Sequence, residues 1–120
     1  MDTEEWRIIP RFKRYEVSSH GRVRNTKSNK VMNQMRRGRH YWVLLYCDDR
    51  NVREWVRVSL MSLTCFRPEG KILGSVWHLD NDPSNNHISN LKWIDRLEFN
   101  DRRYAFKRTK LKSNYKLLKS

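Results

Sequence analysis

Apolar and polar positions alternate with a period near two through the first half of the chain, which predicts β-strands. In residues 6–25 short strands are broken by turns: Pro10 ends the first, Tyr15–Ser18 forms the next, and Ser19-His20-Gly21 turns the chain. Arg22-Val23-Arg24 then alternates, placing both arginines on one face, and Lys30-Val31-Met32 reads as a further strand. Tyr41–Cys47 is apolar on both faces, the pattern of a central strand covered on each side. Asp48–Asn51 is a turn, and in Val52–Val58 the valines 52, 56 and 58 oppose Arg53, Trp55 and Arg57. The period then changes. Leu60, Leu63 and Phe66 have helical spacing within Ser59–Phe66 and are expected in the core. After a loop over residues 69–75, the apolar runs Val76–Leu79 and Ile88–Ile94 flank an Asp-, Asn-, Pro- and Ser-rich connection, a hairpin with a long loop. The polar run from Arg96 to Arg103 holds no Gly or Pro and suits a helix. The expected class is α+β.

At 120 residues the chain is one domain or two small modules sharing a core. The net charge of +13 and a pI near 10.3 predict a polyanionic partner. A merely basic soluble or ribosomal-type protein would have similar numbers. Aromatic residues set among arginines, as in Arg53-Glu54-Trp55-Val56-Arg57, favour a binding face. Arg36-Arg37-Gly38-Arg39-His40 is a basic turn in which glycine permits close approach to a phosphate backbone. Lys107 and Arg108 open a basic C-terminal stretch that reads as a helix end or a nucleic-acid-binding tail. Cys47 and Cys65 form no metal-binding pair and suit a reducing compartment. No apolar run reaches membrane-spanning length and the acidic start is no signal peptide, so the expectation is an intracellular, soluble protein with no membrane partner.

The stretch from Val76 to Trp93 resembles the HNH endonuclease motif of phage and intron-encoded homing endonucleases, on His78, Asp80, Asn85, Asn86, Asn90, Leu91 and Trp93. Upstream, Glu5-Trp6, Ile9-Pro10, Phe12, Tyr15-Glu16-Val17-Ser18 and Gly21-Arg22-Val23-Arg24 resemble the NUMOD4 DNA-binding module that precedes such units. The resemblance implies a NUMOD4-like antiparallel sheet over 1–58, a ββα HNH-like unit over 59–103 and a basic tail over 104–120. It assigns His78 as general base, actual or vestigial, and Asn90 as the residue whose amide pins the hairpin loop, with Asn85 and Asn86 bracing the loop backbone. It also tips Arg22 and Arg24 towards phosphate contact, beside Arg36, Arg37, Arg39, Arg53, Trp55 and Arg57.

The chain departs from that family where metal donors are expected. Trp77 stands where the family places Asp or Asn before the histidine, and Phe99 where the following helix supplies Asn or His. Ser59 stands where a histidine usually follows the valine. Indole and phenyl rings offer nothing to Mg²⁺ or Mn²⁺, which take oxygen ligands. No cofactor is therefore expected, unless Asp80, Asp82 or a shifted Asn100 supplies one of those ions with ligands. The leading expectation is a double-stranded-DNA-binding protein descended from a homing endonuclease, of viral or phage type, serving packaging, regulation or an assembly with other proteins in host cytoplasm, nucleus or virion. The rivals are an active nicking endonuclease with a rearranged site and a structural subunit using the scaffold for protein contacts.

Overall fold

Three antiparallel sheets and two helices make up residues 3–103, the part of the chain described by the computed structural model. In the first sheet β1 (Trp6–Ile9), β2 (Phe12–Ser18) and β3 (Val23–Asn25) lie in sequence order. The β1–β2 register slips between Ile8 and Ile9, next to Arg11 at a φ of 69°. The second sheet is β4 (Met35–Arg37), β5 (His40–Cys47) and β6 (Val52–Arg57). Helix α1 (Val58–Phe66) leads through a 3₁₀ turn at Pro68–Leu73 to the hairpin of β7 (Ser75–His78) and β8 (Leu91–Ile94). A second helix, α2, covers residues 96–103.

The first two sheets share one core, in which Val17 and Val23 meet Val43, Leu45, Cys47 and Val58, all fully buried. They are tied at one end by Asp48, whose N–H donates to the Arg11 carbonyl at 2.9 Å while its carboxylate accepts from Lys13 N at 2.8 Å. A smaller cluster of Leu63, Val76, Leu91 and Trp93 holds the hairpin. Helix α1 serves both, giving Val58 and Met61 to the first cluster and Leu63 to the second. The loop between β2 and β3 also clasps the hairpin loop. Ile88 N donates to the Ser19 carbonyl at 2.8 Å, and the His20 and His87 rings stack with centroids 4.8 Å apart. Gly21, at a φ of 83°, lies so close to Asn86 that a Cβ there would sit 2.8 Å from the Asn86 Cβ and carbonyl oxygen. Only glycine meets both demands.

Several elements differ from the sequence reading. Strand β5 is buried on one face only: Val43, Leu45 and Cys47 face the core, while Trp42, Leu44 and Tyr46 are half-covered. Its large side chains reflect an aromatic outer face rather than a second core. Lys30–Met32 forms no strand and makes a lone bridge from Val31 to Arg24, directly after the tight turn in which Asn29 N donates to the Asn25 carbonyl at 2.9 Å. Leu60 is 37% exposed. The buried arc of α1 runs instead through Val58, Ser59, Met61, Ser62 and Leu63, because the helix is wedged between two clusters. Residues Ile88–Asn90 form a 3₁₀ turn before β8 begins at Leu91, and Leu79 lies outside β7 and is exposed. Residues 104–120, with Lys107 and Arg108, lie outside the described residues.

Candidate nucleic-acid interface and HNH-like hairpin

The hairpin loop is held by side-chain amides and carboxylates. Asn90 Nδ2 donates to Asp80 Oδ1 at 2.8 Å and to the Asn85 carbonyl at 2.9 Å, and Asn90 Oδ1 accepts from Asp80 N at 3.1 Å. Asn85 Nδ2 donates to Asp80 Oδ2 at 2.8 Å. Asp82 accepts from Ser84 N and Oγ at 3.0 and 2.6 Å. These bonds, from Asn85 first for Asp80 and from Ser84 first for Asp82, hold both carboxyls below the usual range. Asn86, unlike Asn85, turns to the histidine: its Oδ1 lies 2.8 Å from His78 Nε2. The imidazole itself is nearly buried.

His78 and Trp77 form one wall of a cavity of about 350 Å³ whose other walls are the β4–β5 turn (Arg37 to His40), Asn81 of the loop, and Phe99 and Arg103 of α2. The positions where the resemblance placed metal donors touch each other as an edge-to-face pair, Trp77 and Phe99, with ring centroids 5.6 Å apart. Phe99 N donates to the Asp95 carbonyl at 2.9 Å, so α2 is regular there. Asn100 is thus turned about 100° from Phe99 and is exposed outside the cavity wall. With Asp80 and Asp82 bonded into the loop, this donor set does not fit a divalent cation. Among the described residues no three His, Cys, Asp or Glu side chains gather as a metal site.

Asn81 and Arg103 stand out in no sequence motif as site residues, and His40 does so only as the end of the basic turn. His40 is brought beside the hairpin by the turn at Gly38, whose φ is 64°. Its imidazole is held below its ordinary value, by burial first and then by Arg57, His78 and Arg39. One-dimensional spacing carries no sign of that meeting, since the two histidines come from different sheets.

The second sheet presents the basic aromatic face that alternation predicts. Register pairs Trp42 with Arg57, Leu44 with Trp55 and Tyr46 with Arg53 on the side away from Val43 and Leu45, and Arg37 pairs with His40 at the near end. Trp55 is 39% exposed and Arg37 lies over its ring at 5.2 Å. Arg57 is more deeply set, and among the described residues its Nε has no hydrogen-bond partner. On the first sheet, by contrast, Arg22 bonds Glu4, and Arg24 bonds Glu16 at 3.2 Å while lying 3.8 Å over Trp6. Their charges are answered within the chain.

A β-hairpin followed by a helix, with a histidine at the end of the first strand and an asparagine-pinned loop, defines the HNH-type ββα unit. A family model for the NUMOD4 motif matches residues 4–60. Two uncharacterized HNH endonucleases of Acanthamoeba polyphaga mimivirus are 32% identical over 101 residues and 30% identical over 91, covering 80 and 76% of this chain. The chain spans 25 and 27% of their lengths. The solved structure of the HNH homing endonuclease I-HmuI, a protein described there binding and cleaving DNA, superposes with a TM-score of 0.71. That match covers 86% of this chain and 59% of I-HmuI at 21% identity. The chain belongs to the family of HNH endonucleases that carry a NUMOD4 motif.

Proposed function

We infer that this chain is a DNA-binding member of the family that no longer cuts. The observation that carries the reading is the Trp77–Phe99 ring contact at the place where metal donors are expected, with Arg37, Arg39 and Arg103 around the same cavity. The cleavage chemistry needs a cation to stabilise the leaving oxygen. The aromatic pair removes its ligands, and the loop carboxylates are committed to asparagine and serine. What persists is the equipment for holding a phosphate backbone. Arg53 and Trp55 on β6 continue through Arg37 into the exposed turn with Arg36 and Arg39.

Double-stranded DNA is the partner this strip fits. With Arg36, Arg37, Arg39 and Arg53 each neutralising a phosphate, the logarithm of affinity should fall with the logarithm of salt at a slope of roughly −3 to −4. Arg39→Gln and Arg53→Gln should each flatten it by about 0.9. A salt-independent affinity would overturn the binding reading. Plasmid nicking that requires Mg²⁺ or Mn²⁺ and disappears in His78→Ala would overturn the non-cutting one.

A further inference from the structure

The cavity that replaces the metal site has a composition of its own. It joins two aromatic rings, a primary amide from Asn81 and the arginines Arg37, Arg39 and Arg103, and its described wall carries no carboxylate. At about 350 Å³ it lies at the small end of ligand-sized sites, which run from ~300 to ~1,000 Å³, so it suits one ring system. Trp77 remains partly exposed although it packs against Phe99, and Arg102 stands 5.9 Å from its ring centre. We propose that this cavity takes a single unpaired nucleobase from a DNA strand, stacked on the Trp77–Phe99 aromatic surface with its flanking phosphates on Arg37, Arg39 and Arg103. The proposal rests on the DNA-binding reading above.

Three features favour a base over other occupants. An aromatic ring offers a face that any base can cover, and base–aromatic stacking tolerates sequence. The amide of Asn81 supplies both a donor and an acceptor, which a base edge requires and a simple phosphate does not. An aromatic side chain of a partner protein would use the rings but bring no anion to the surrounding arginines. Bases in an intact duplex are stacked and hide their faces, so the occupant must be a bulged, flipped or single-stranded nucleotide. The basic strip on β6 and the β4–β5 turn then holds the adjoining duplex, and the cavity lies at its end, with Arg37 common to both.

The test uses the full chain and two DNA duplexes that differ only in a single bulged 2-aminopurine. The bulged duplex should bind about tenfold more tightly than the paired one, within the range expected for one stacking contact. The 2-aminopurine fluorescence should be quenched on binding. In Trp77→Leu, which keeps apolar volume without an indole face, both the preference and the quench should disappear while paired-duplex affinity stays within twofold. Phe99→Leu is the second variant, and paired-duplex affinity reports that either is folded. Equal affinity for the two duplexes with no quench in the unaltered protein overturns the proposal. So does a quench that survives in both variants, since the base then stacks elsewhere. Loss of salt-dependent binding to the paired duplex would instead sink the earlier DNA-binding reading.

Discussion

Asn90 makes three of the bonds that shape the hairpin loop, two as donor and one as acceptor. Asn90→Ala leaves Asp80 N and the Asn85 carbonyl without those partners, and unsatisfied groups of this kind cost roughly 1–3 kcal/mol each when buried. The substitution should lower stability by about 2 kcal/mol in urea titrations, because water reaches part of this loop. Glu4 is a second residue with a measurable signature. The bond from Arg22 pulls its carboxyl from 4.5 down to about 2, so the stabilisation is whole above pH 4.5 and is lost as pH falls towards 2. The side chain of its partner Arg22 is 52% exposed, and screening limits the contribution to about 1 kcal/mol. Melting temperatures recorded across that window should fall more steeply for the parent chain than for Arg22→Gln. His40 acts on a different limb. Held below its ordinary 6.5, it resists protonation in the folded state, so stability should decline as pH drops below that value. His40→Gln should remove that decline from the melting profile.

Among the elements, α1 was legible as a helix but not in its orientation. Its sequence places Leu60, Leu63 and Phe66 on one stripe, yet Ser59 and Ser62 are buried and Leu60 is not. A single apolar stripe suits a helix packed on one core, and this helix lies between two. Leu63, fully buried in the hairpin cluster, is the sharper test: Leu63→Ala should cost ~2–5 kcal/mol. The 3₁₀ turn at Pro68–Leu73 was invisible because short turns carry no periodicity. Its reason lies in tertiary packing, where Trp93 Nε1 donates to the Arg67 carbonyl at 2.8 Å and a Cβ on Gly70 would fall 2.4 Å from the Trp93 ring. Gly70→Ala should destabilise by about 1–3 kcal/mol, measured by chemical denaturation. The strands of the second sheet were the most readable elements, since register alone sets Arg53, Trp55 and Arg57 against the valines.

For the whole molecule, the antiparallel sheets, the hairpin and its histidine could be read in one dimension because each is local. What could not be read is assembly. His40 reaches the hairpin from another sheet, Asn86 turns to His78 instead of the loop backbone, and Arg22 and Arg24 spend their charge on Glu4 and Glu16. His40 and Glu4 meet their partners across long stretches of chain, and even within one hairpin a pattern of residue types does not encode which way Asn86 or Glu16 turns. The charge-dependent behaviour nevertheless belongs to this scale, and on the proposed reading a steep fall of DNA affinity with salt is its measurable form.

The clasp between the β2–β3 loop and the hairpin loop has a consequence for how the molecule opens. Because Gly21 abuts Asn86 and Ile88 N donates to Ser19, the histidine's support cannot loosen without disturbing the N-terminal strands. Deuterium uptake at the Ile88 amide should therefore follow the rate at Ser18 and Ser19, as one cooperative unit. A Gly21→Ala chain should let the hairpin loop take up label early while β5 keeps its protection.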